Sequence, residues 1–170
     1  MELRPELLPP RLDEAKVARL ARLAEVIDGA NPGQWEVELA EFNRLAGTNL
    51  AFLDFQGTYG GEEHETWVRR VLTYQAARPV PGITRPELVE LVRRIMSEEH
   101  PVNEAYMAIF DANVPMPSAS NLVFYPPDYD AGTNTWGGGR NMGEYSPTPD
   151  QVVDWALANV QRKEQLTAES

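Results

Sequence analysis

The chain has 170 residues, and its 26 aspartates and glutamates outnumber its 15 lysines and arginines, giving a formal net charge of −11 at pH 7. This charge argues against nucleic acid or an anionic membrane as the main partner, because both are bound through clustered lysines and arginines. The chain contains no cysteine, which excludes disulfides, thiolate zinc sites, iron–sulfur clusters and cysteine nucleophiles.

Helical periodicity runs through most of the first 80 residues. Asp13 is placed to cap a helix that extends to about Asp28. Two further helices are predicted over about 34–46 and 62–76, and the stretch between them is mixed, with Tyr59 ahead of a glycine pair. We therefore expect a small helical module over residues 1–80, which either extends a binding surface, packs on the rest of the chain or is a fused cap without function.

The segment Arg78-Pro-Val-Pro-Gly82 is the best-marked boundary, because two prolines and a glycine block a continuous helix. Beyond it, Thr84 and Glu87 have the spacing of a capping box, in which each side chain bonds the other residue's amide. They predict a helix over about 85–99.

The rest of the chain also has helical periodicity. A helix is predicted over about 102–112, and the short stretch 118–125 has room for one or two turns. After the long glycine- and aspartate-rich loop 127–147, a second capping box at Thr148 and Gln151 opens a last helix to about residue 163. No strand pattern is strong enough to build a sheet, so we expect an all-α protein.

Charge is distributed unevenly along this second half. Residues 95–139, which we call the cation-free interval, contain no lysine or arginine but include the acids Glu98, Glu99, Glu104, Asp111, Asp128 and Asp130. On helix geometry Asn103 or Glu104, Met107 and Asp111 line one stripe of the helix over about 102–112. An acidic rim close to aromatic residues is typical of a protein-binding face.

Four segments carry a resemblance to a known family: Thr84-Arg-Pro-Glu-Leu-Val-Glu-Leu-Val, the predicted helix around Glu104–Phe110, Ser120-Asn-Leu-Val-Phe-Tyr-Pro126 and Ser146-Pro-Thr-Pro-Asp-Gln-Val-Val. Residues from about 83 to 163 resemble the nuclease-type colicin and pyocin immunity proteins. The resemblance implies a distorted four-helix bundle over about 83–165, which binds beside the active site of a toxin's nuclease domain and keeps DNA away from it.

The resemblance also implies roles for individual residues. Phe124 and Tyr125 match a pair of tyrosine anchors, Asn121 matches an acid that hydrogen-bonds across the interface, and the stripe on the preceding helix matches the part that selects the toxin. The predicted partner-binding residues are Asn103, Glu104, Met107, Asp111, Ser120, Asn121, Phe124, Tyr125 and Pro126. The chain departs from the family in the phenylalanine at 124, the neutral asparagine at 121 and the length of the loop 127–147.

Two other functions stay open at this point. One is an acidic helical adaptor for a different basic protein, and the other is a metal-dependent enzyme whose loop supplies Asp128, Asp130 and Glu144. His64 stands among glutamates, but a surface position explains it better than a zinc site, which needs convergent ligands. We expect no enzyme activity, no cofactor, no metal and no direct contact with nucleic acid or membrane.

The start of the chain bears on its location. The first ten residues carry charges and prolines where a signal peptide would need an unbroken apolar stretch. We therefore expect a cytoplasmic protein.

Overall fold

Within residues 1–31, 33–56 and 63–168, which the computed structural model describes, the chain forms six α-helices, and helices occupy 58% of it. Of residues 159–168 the backbone alone is described. The all-α prediction is therefore confirmed. The chain divides into two compact units, one formed by Pro10–Ala77 and the other by Met1–Pro9 together with Arg78–Ser170. None of the helices in the described ranges is both long enough and apolar enough to cross a membrane.

The unit Pro10–Ala77 contains three helices, α1 (Glu14–Asp28), α2 (Glu36–Ala46) and α3 (His64–Ala76), and a 3₁₀-helix at Phe52–Phe55. The Asp13 side chain caps α1 as expected, accepting hydrogen bonds from the amides of Ala15 and Lys16 at 2.9 and 3.2 Å. Tyr59, the glycine pair Gly60-Gly61 and Glu62, where the third helix was predicted to begin, lie outside the described residues.

Aromatic rings fill the centre of this unit. Phe42 and Phe55 are fully buried and meet edge to face with their centroids 4.9 Å apart, and Trp67 lies 4.9 Å from Phe55. Because these residues come from α2, the 3₁₀-helix and α3, one cluster ties the three elements together.

The second unit contains α4 (Arg85–Ser97), α5 (Val102–Ala112) and α6 (Pro149–Ala168), with a 3₁₀-helix at Ala119–Val123 that packs against all three. The capping box is present at the start of α4, where Thr84 and Glu87 exchange hydrogen bonds. Apolar residues at helical spacing on α4 and α5 form the core, with Val152 and Val153 from α6. The third of the four expected helices is thus a short 3₁₀-helix.

Residues 1–9 differ from the expected division, which placed them in the N-terminal module. They belong to the unit of α4–α6, because Leu3 and Leu7 are buried in its core. Arg4 adds an ion pair, with its Nε 2.6 Å from the Oε1 of Glu87.

The loop 127–147 also contains more structure than the sequence indicated. Strands β1 (Thr135–Trp136) and β2 (Arg140–Asn141) pair in antiparallel fashion around a turn at 137–139, and Asp130 forms a bridge with Thr135. We call residues 130–141 the hairpin. A one-turn 3₁₀-helix, Met142–Glu144, follows it.

The Arg4–Glu87 pair gives a test of how residues 1–9 are held. The hydrogen bond from Arg4, helped by those from Thr84, lowers the pKa of Glu87 from 4.5 to about 2. Since the folded chain then protonates Glu87 less readily than the unfolded chain, the stabilisation is complete above pH 4.5 and is lost as the pH falls towards 2.

We therefore expect Arg4→Ala to lower the midpoint of urea unfolding at neutral pH, with a deficit relative to the unchanged chain that narrows as the pH falls from 4.5 to 2. Arg93→Ala, which removes an exposed pair with Glu90, is the control and should cost no more than about 1 kcal/mol. A deficit for Arg4→Ala that is constant across this pH range would contradict the prediction.

Candidate protein-binding site

Phe124 and Tyr125 stand at the end of the 3₁₀-helix Ala119–Val123, with 47% and 50% of their surface exposed. Both of their amides donate to the carbonyl of Asn121, at 2.9 and 2.8 Å. Pro126 follows and is buried. Two large rings are therefore exposed to solvent, on a backbone that is held by hydrogen bonds to Asn121 and followed by a buried proline. We call residues 120–126 the aromatic segment.

Asp111 holds the beginning of this segment. Its Oδ1 accepts a hydrogen bond from the Ser120 amide at 2.7 Å, and its Oδ2 accepts one from the Ser120 hydroxyl at 2.8 Å. Burial raises the pKa of Asp111, while the two hydrogen bonds from Ser120 act in the opposite direction. Since an unpaired amide in the first turn of a helix needs an acceptor, Asp111 joins the end of α5 to the 3₁₀-helix.

Tyr145 holds the other end of the same 3₁₀-helix. Its hydroxyl donates to the carbonyl of Leu122, and its ring stacks on Trp155 of α6 with centroids 6.5 Å apart. Burial, together with the negative charge of Asp128, raises the pKa of Tyr145 to about 12. The phenol thus bridges the long loop, α6 and the aromatic segment in its neutral form.

Tyr129 extends the exposed aromatic surface. Its ring lies 4.9 Å from that of Tyr125, and its hydroxyl donates to the Oδ1 of Asn134 at 3.1 Å. Tyr129 is not among the nine residues predicted from the sequence. The available signal was its position four residues after Tyr125, but only the turn that follows Pro126 brings the two rings together.

The predicted stripe on α5 is half-buried. Met107 packs at the edge of the core, and Glu104 lies with its Oε1 3.5 Å from the Nε2 of His100. The amide oxygen of Asn103 is buried and has no hydrogen-bond partner among the described residues. Asn103 and Asp111 are eight residues apart, which corresponds to about 12 Å along the helix axis.

The nine predicted residues therefore fall into three groups. Asn121, Phe124 and Tyr125 are exposed, whereas Ser120 and Pro126 are buried and Asp111 is occupied by Ser120. In this second group, the hydrogen bonds between Asp111 and Ser120 hold the start of the aromatic segment in place. The remaining three, which are Asn103, Glu104 and Met107, lie on α5 before Asp111.

Two of the three carboxylates considered for a metal, Asp128 and Asp130, bind the backbone of the loop. Asp128 accepts a hydrogen bond from the Gly137 amide at 2.7 Å, and Asp130 accepts one from Gly132 at 2.8 Å. His64 contacts Asp28, with 3.2 Å between Nε2 and Oδ2. Over the described part of the chain, no group of three histidines and acids is arranged to hold a metal ion.

Comparison with protein families adds an independent observation. Residues 80–134 match the family model of colicin immunity protein / pyocin immunity protein. The predicted resemblance is confirmed over this range. It includes α4, α5 and the whole aromatic segment, but ends before the hairpin strands and α6. Searches of curated proteins and of solved structures found no match to the chain.

Over residues 80–134 the chain is thus similar to proteins that give immunity to colicins and pyocins. In such a protein the surface that contacts the toxin is the functional site. The aromatic segment lies inside the matched range, and its exposed rings make it the candidate for that surface.

The hydrogen bond from the Tyr145 hydroxyl to the Leu122 carbonyl can be tested by substitution. Tyr145→Phe keeps the ring but leaves the Leu122 carbonyl without its donor, which should lower the free energy of unfolding by about 1–3 kcal/mol. Because the neutral phenol is favoured in the folded chain, the stabilisation is complete below pH 10 and is lost as the pH rises towards 12.

The measurement compares urea unfolding of Tyr145→Phe with that of the unchanged chain from pH 7 upwards. Tyr125→Phe, at a tyrosine 50% exposed in the aromatic segment, serves as control. Equal stability of the Tyr145→Phe variant and the unchanged chain at pH 7 would show that the bridge contributes nothing.

Proposed function

We propose that the chain binds the nuclease domain of a bacteriocin through its aromatic segment and inhibits it by denying nucleic acid access to the basic surface of the enzyme. The observation that carries the proposal is the exposed Phe124–Tyr125 pair on a backbone fixed by Asp111 and Tyr145. Because the backbone that carries these rings is held in place before binding, less conformational entropy is lost on association, and more of the gain from burying the rings remains as affinity.

Charge supports a basic partner. The cation-free interval covers α5, the aromatic segment and the first part of the loop, and Glu98, Glu99, Asp128 and Asp130 are exposed in it. Opposite charge on a nuclease would raise the rate of encounter by about 10–10³-fold. The same negative charge would repel DNA or RNA from the complex.

Individual residues take different parts in this proposal. Tyr125 is the main anchor, Phe124 adds apolar area, and Asn121 offers a neutral hydrogen bond of about 1 kcal/mol, where an acid would give about 1.5–3 kcal/mol. Ser120, Asp111 and Pro126 position these groups. Asn103, Glu104 and Met107 would contact the partner from α5 and contribute to its selection. The proposed place of action is the cytoplasm.

The direct test is inhibition of DNA and RNA cleavage. The probes are purified nuclease domains of colicins and pyocins, together with any nuclease domain encoded immediately upstream of this chain's gene. We expect stoichiometric inhibition of at least one of them, relieved by excess nucleic acid if the two compete. If every domain still cleaves nucleic acid at the same rate when this chain is in excess, a nuclease is not the target. The alternative, an acidic adaptor for another basic protein, would then be favoured.

The anchor is tested by Tyr125→Ala. It should weaken binding by about 2 kcal/mol or more, which corresponds to about 30-fold in Kd, mainly through faster dissociation. Tyr74→Ala removes a similarly exposed tyrosine from α3 and should leave binding unchanged. Circular dichroism must show equal helical content in both variants, and unaltered affinity of a folded Tyr125→Ala protein would exclude Tyr125 from the interface.

The electrostatic part is tested by salt. We expect the association rate constant to fall steeply as ionic strength rises, with little change in the dissociation rate, because screening acts on the approach of exposed charges. An association rate that is independent of salt would show that the acidic surface does not face the partner.

A further inference from the structure

The hairpin is fixed beside the proposed binding site by a chain of ring contacts. Tyr125 contacts Tyr129, and Tyr145 links the 3₁₀-helix of the aromatic segment to the hairpin, because its ring meets that of Trp136 edge to face at 5.3 Å. The strands of the hairpin lie beyond the range that matches the immunity-protein family. The hairpin therefore lies next to the surface that carries Tyr125.

Arg140 occupies a defined place on this hairpin. Its guanidinium carbon lies 5.0 Å from the centroid of the Trp136 ring, a cation–π contact that orients the side chain. The contact is made to the face of the ring, so the N–H groups that bind a carboxylate in a fork are not consumed by it. Arg140 is exposed.

The turn beside Arg140 is made of three glycines with positive φ angles, namely 57° at Gly137, 83° at Gly138 and 120° at Gly139. A Cβ atom added at Gly138 or Gly139 would meet nothing within 4 Å. The tip of the hairpin thus has the backbone conformation that glycine adopts without strain, and its three glycines place no side chain beside the guanidinium of Arg140. A large partner can reach it.

Arg140 is positively charged, whereas the charged residues of the cation-free interval before it are acidic. It is the first cation after Arg94, at the end of an interval that carries six acids. A surface that only had to attract a basic protein and repel nucleic acid would gain nothing from an oriented cation. An oriented cation instead strengthens binding to a partner that has a carboxylate at the facing position. It weakens binding to a partner that has a lysine or arginine there.

We infer that the hairpin is a second recognition element beside Tyr125, and that Arg140 selects a nuclease domain that presents an aspartate or glutamate opposite it. This inference rests on the proposed function. Trp136 orients Arg140, Tyr129 continues the contact surface from Tyr125, and the acids of the cation-free interval provide the general attraction. Specificity among nuclease domains then depends on the pairing of Arg140 with one carboxylate of the partner, and not on net charge alone.

The experiment measures association and dissociation rates with the nuclease domain that the unchanged chain inhibits. Arg140→Ala should weaken binding by about 10-fold or more, chiefly through faster dissociation. Arg140→Lys, which keeps the charge but not the fork, should recover only part of the affinity. Arg22→Ala, at an exposed arginine of α1, changes the net charge equally and should stay within about 2-fold of the unchanged chain.

A charge exchange identifies the other side of the contact. Each exposed aspartate or glutamate near the binding surface of the nuclease domain is changed to lysine and paired with Arg140→Glu. One of these substitutions should restore the affinity that Arg140→Glu loses. Thermal unfolding of every variant must match that of the unchanged chain, so that loss of the hairpin itself is not read as loss of a contact.

The outcomes separate the two proposals. If the unchanged chain and Tyr125→Ala behave as proposed but folded Arg140→Ala binds normally, the inference is overturned and the proposed function stands. If affinity falls and no partner substitution restores it, Arg140 does not select a carboxylate and the inference is likewise overturned. If the unchanged chain binds none of the nuclease domains, both proposals fail.

Discussion

The hydrogen bonds between Asp111 and Ser120 are the interaction on which the rest of the site depends. A five-residue 3₁₀-helix has too few internal hydrogen bonds to form by itself. In this chain the helix Ala119–Val123 is held at its beginning by a carboxylate from α5 and near its end by the hydroxyl of Tyr145. Both contacts act on the backbone, so they determine where the rings that follow are placed.

The cost of this arrangement is a half-buried carboxylate. Burial disfavours its charged form, and the amide and hydroxyl of Ser120 offset the loss by bonding to both oxygens. Asp111, which the sequence predicts to lie on the contact surface, thus has its hydrogen-bond partner within the chain. The same geometry explains why Ser120 is 4% exposed although the next residue, Asn121, is open to solvent.

The unit that carries the site is assembled from two separated parts of the chain. Leu3 and Leu7 come from its first nine residues, and the helices α4 to α6 come after residue 78. Residues 10–77 are therefore an insertion in sequence between two parts of one core, with a core of their own around Phe42 and Trp67. Insertion of a compact unit at a surface connection is tolerated, because the entropy cost of closing a loop grows only slowly with its length.

By itself the sequence determined the helices and singled out Phe124 and Tyr125, whose rings are exposed. The caps at Asp13 and Thr84 act over three residues, and apolar periodicity is equally local, so both could be read directly. The proposal that residues 124 and 125 are anchors followed from a resemblance of seven residues. Tertiary structure alone decided what Asp111 and Tyr145 bind, because their partners are nine and 23 residues away. Such contacts depend on the path that the chain takes through its proline- and glycine-containing loops. No local pattern of hydrophobicity or charge encodes that path.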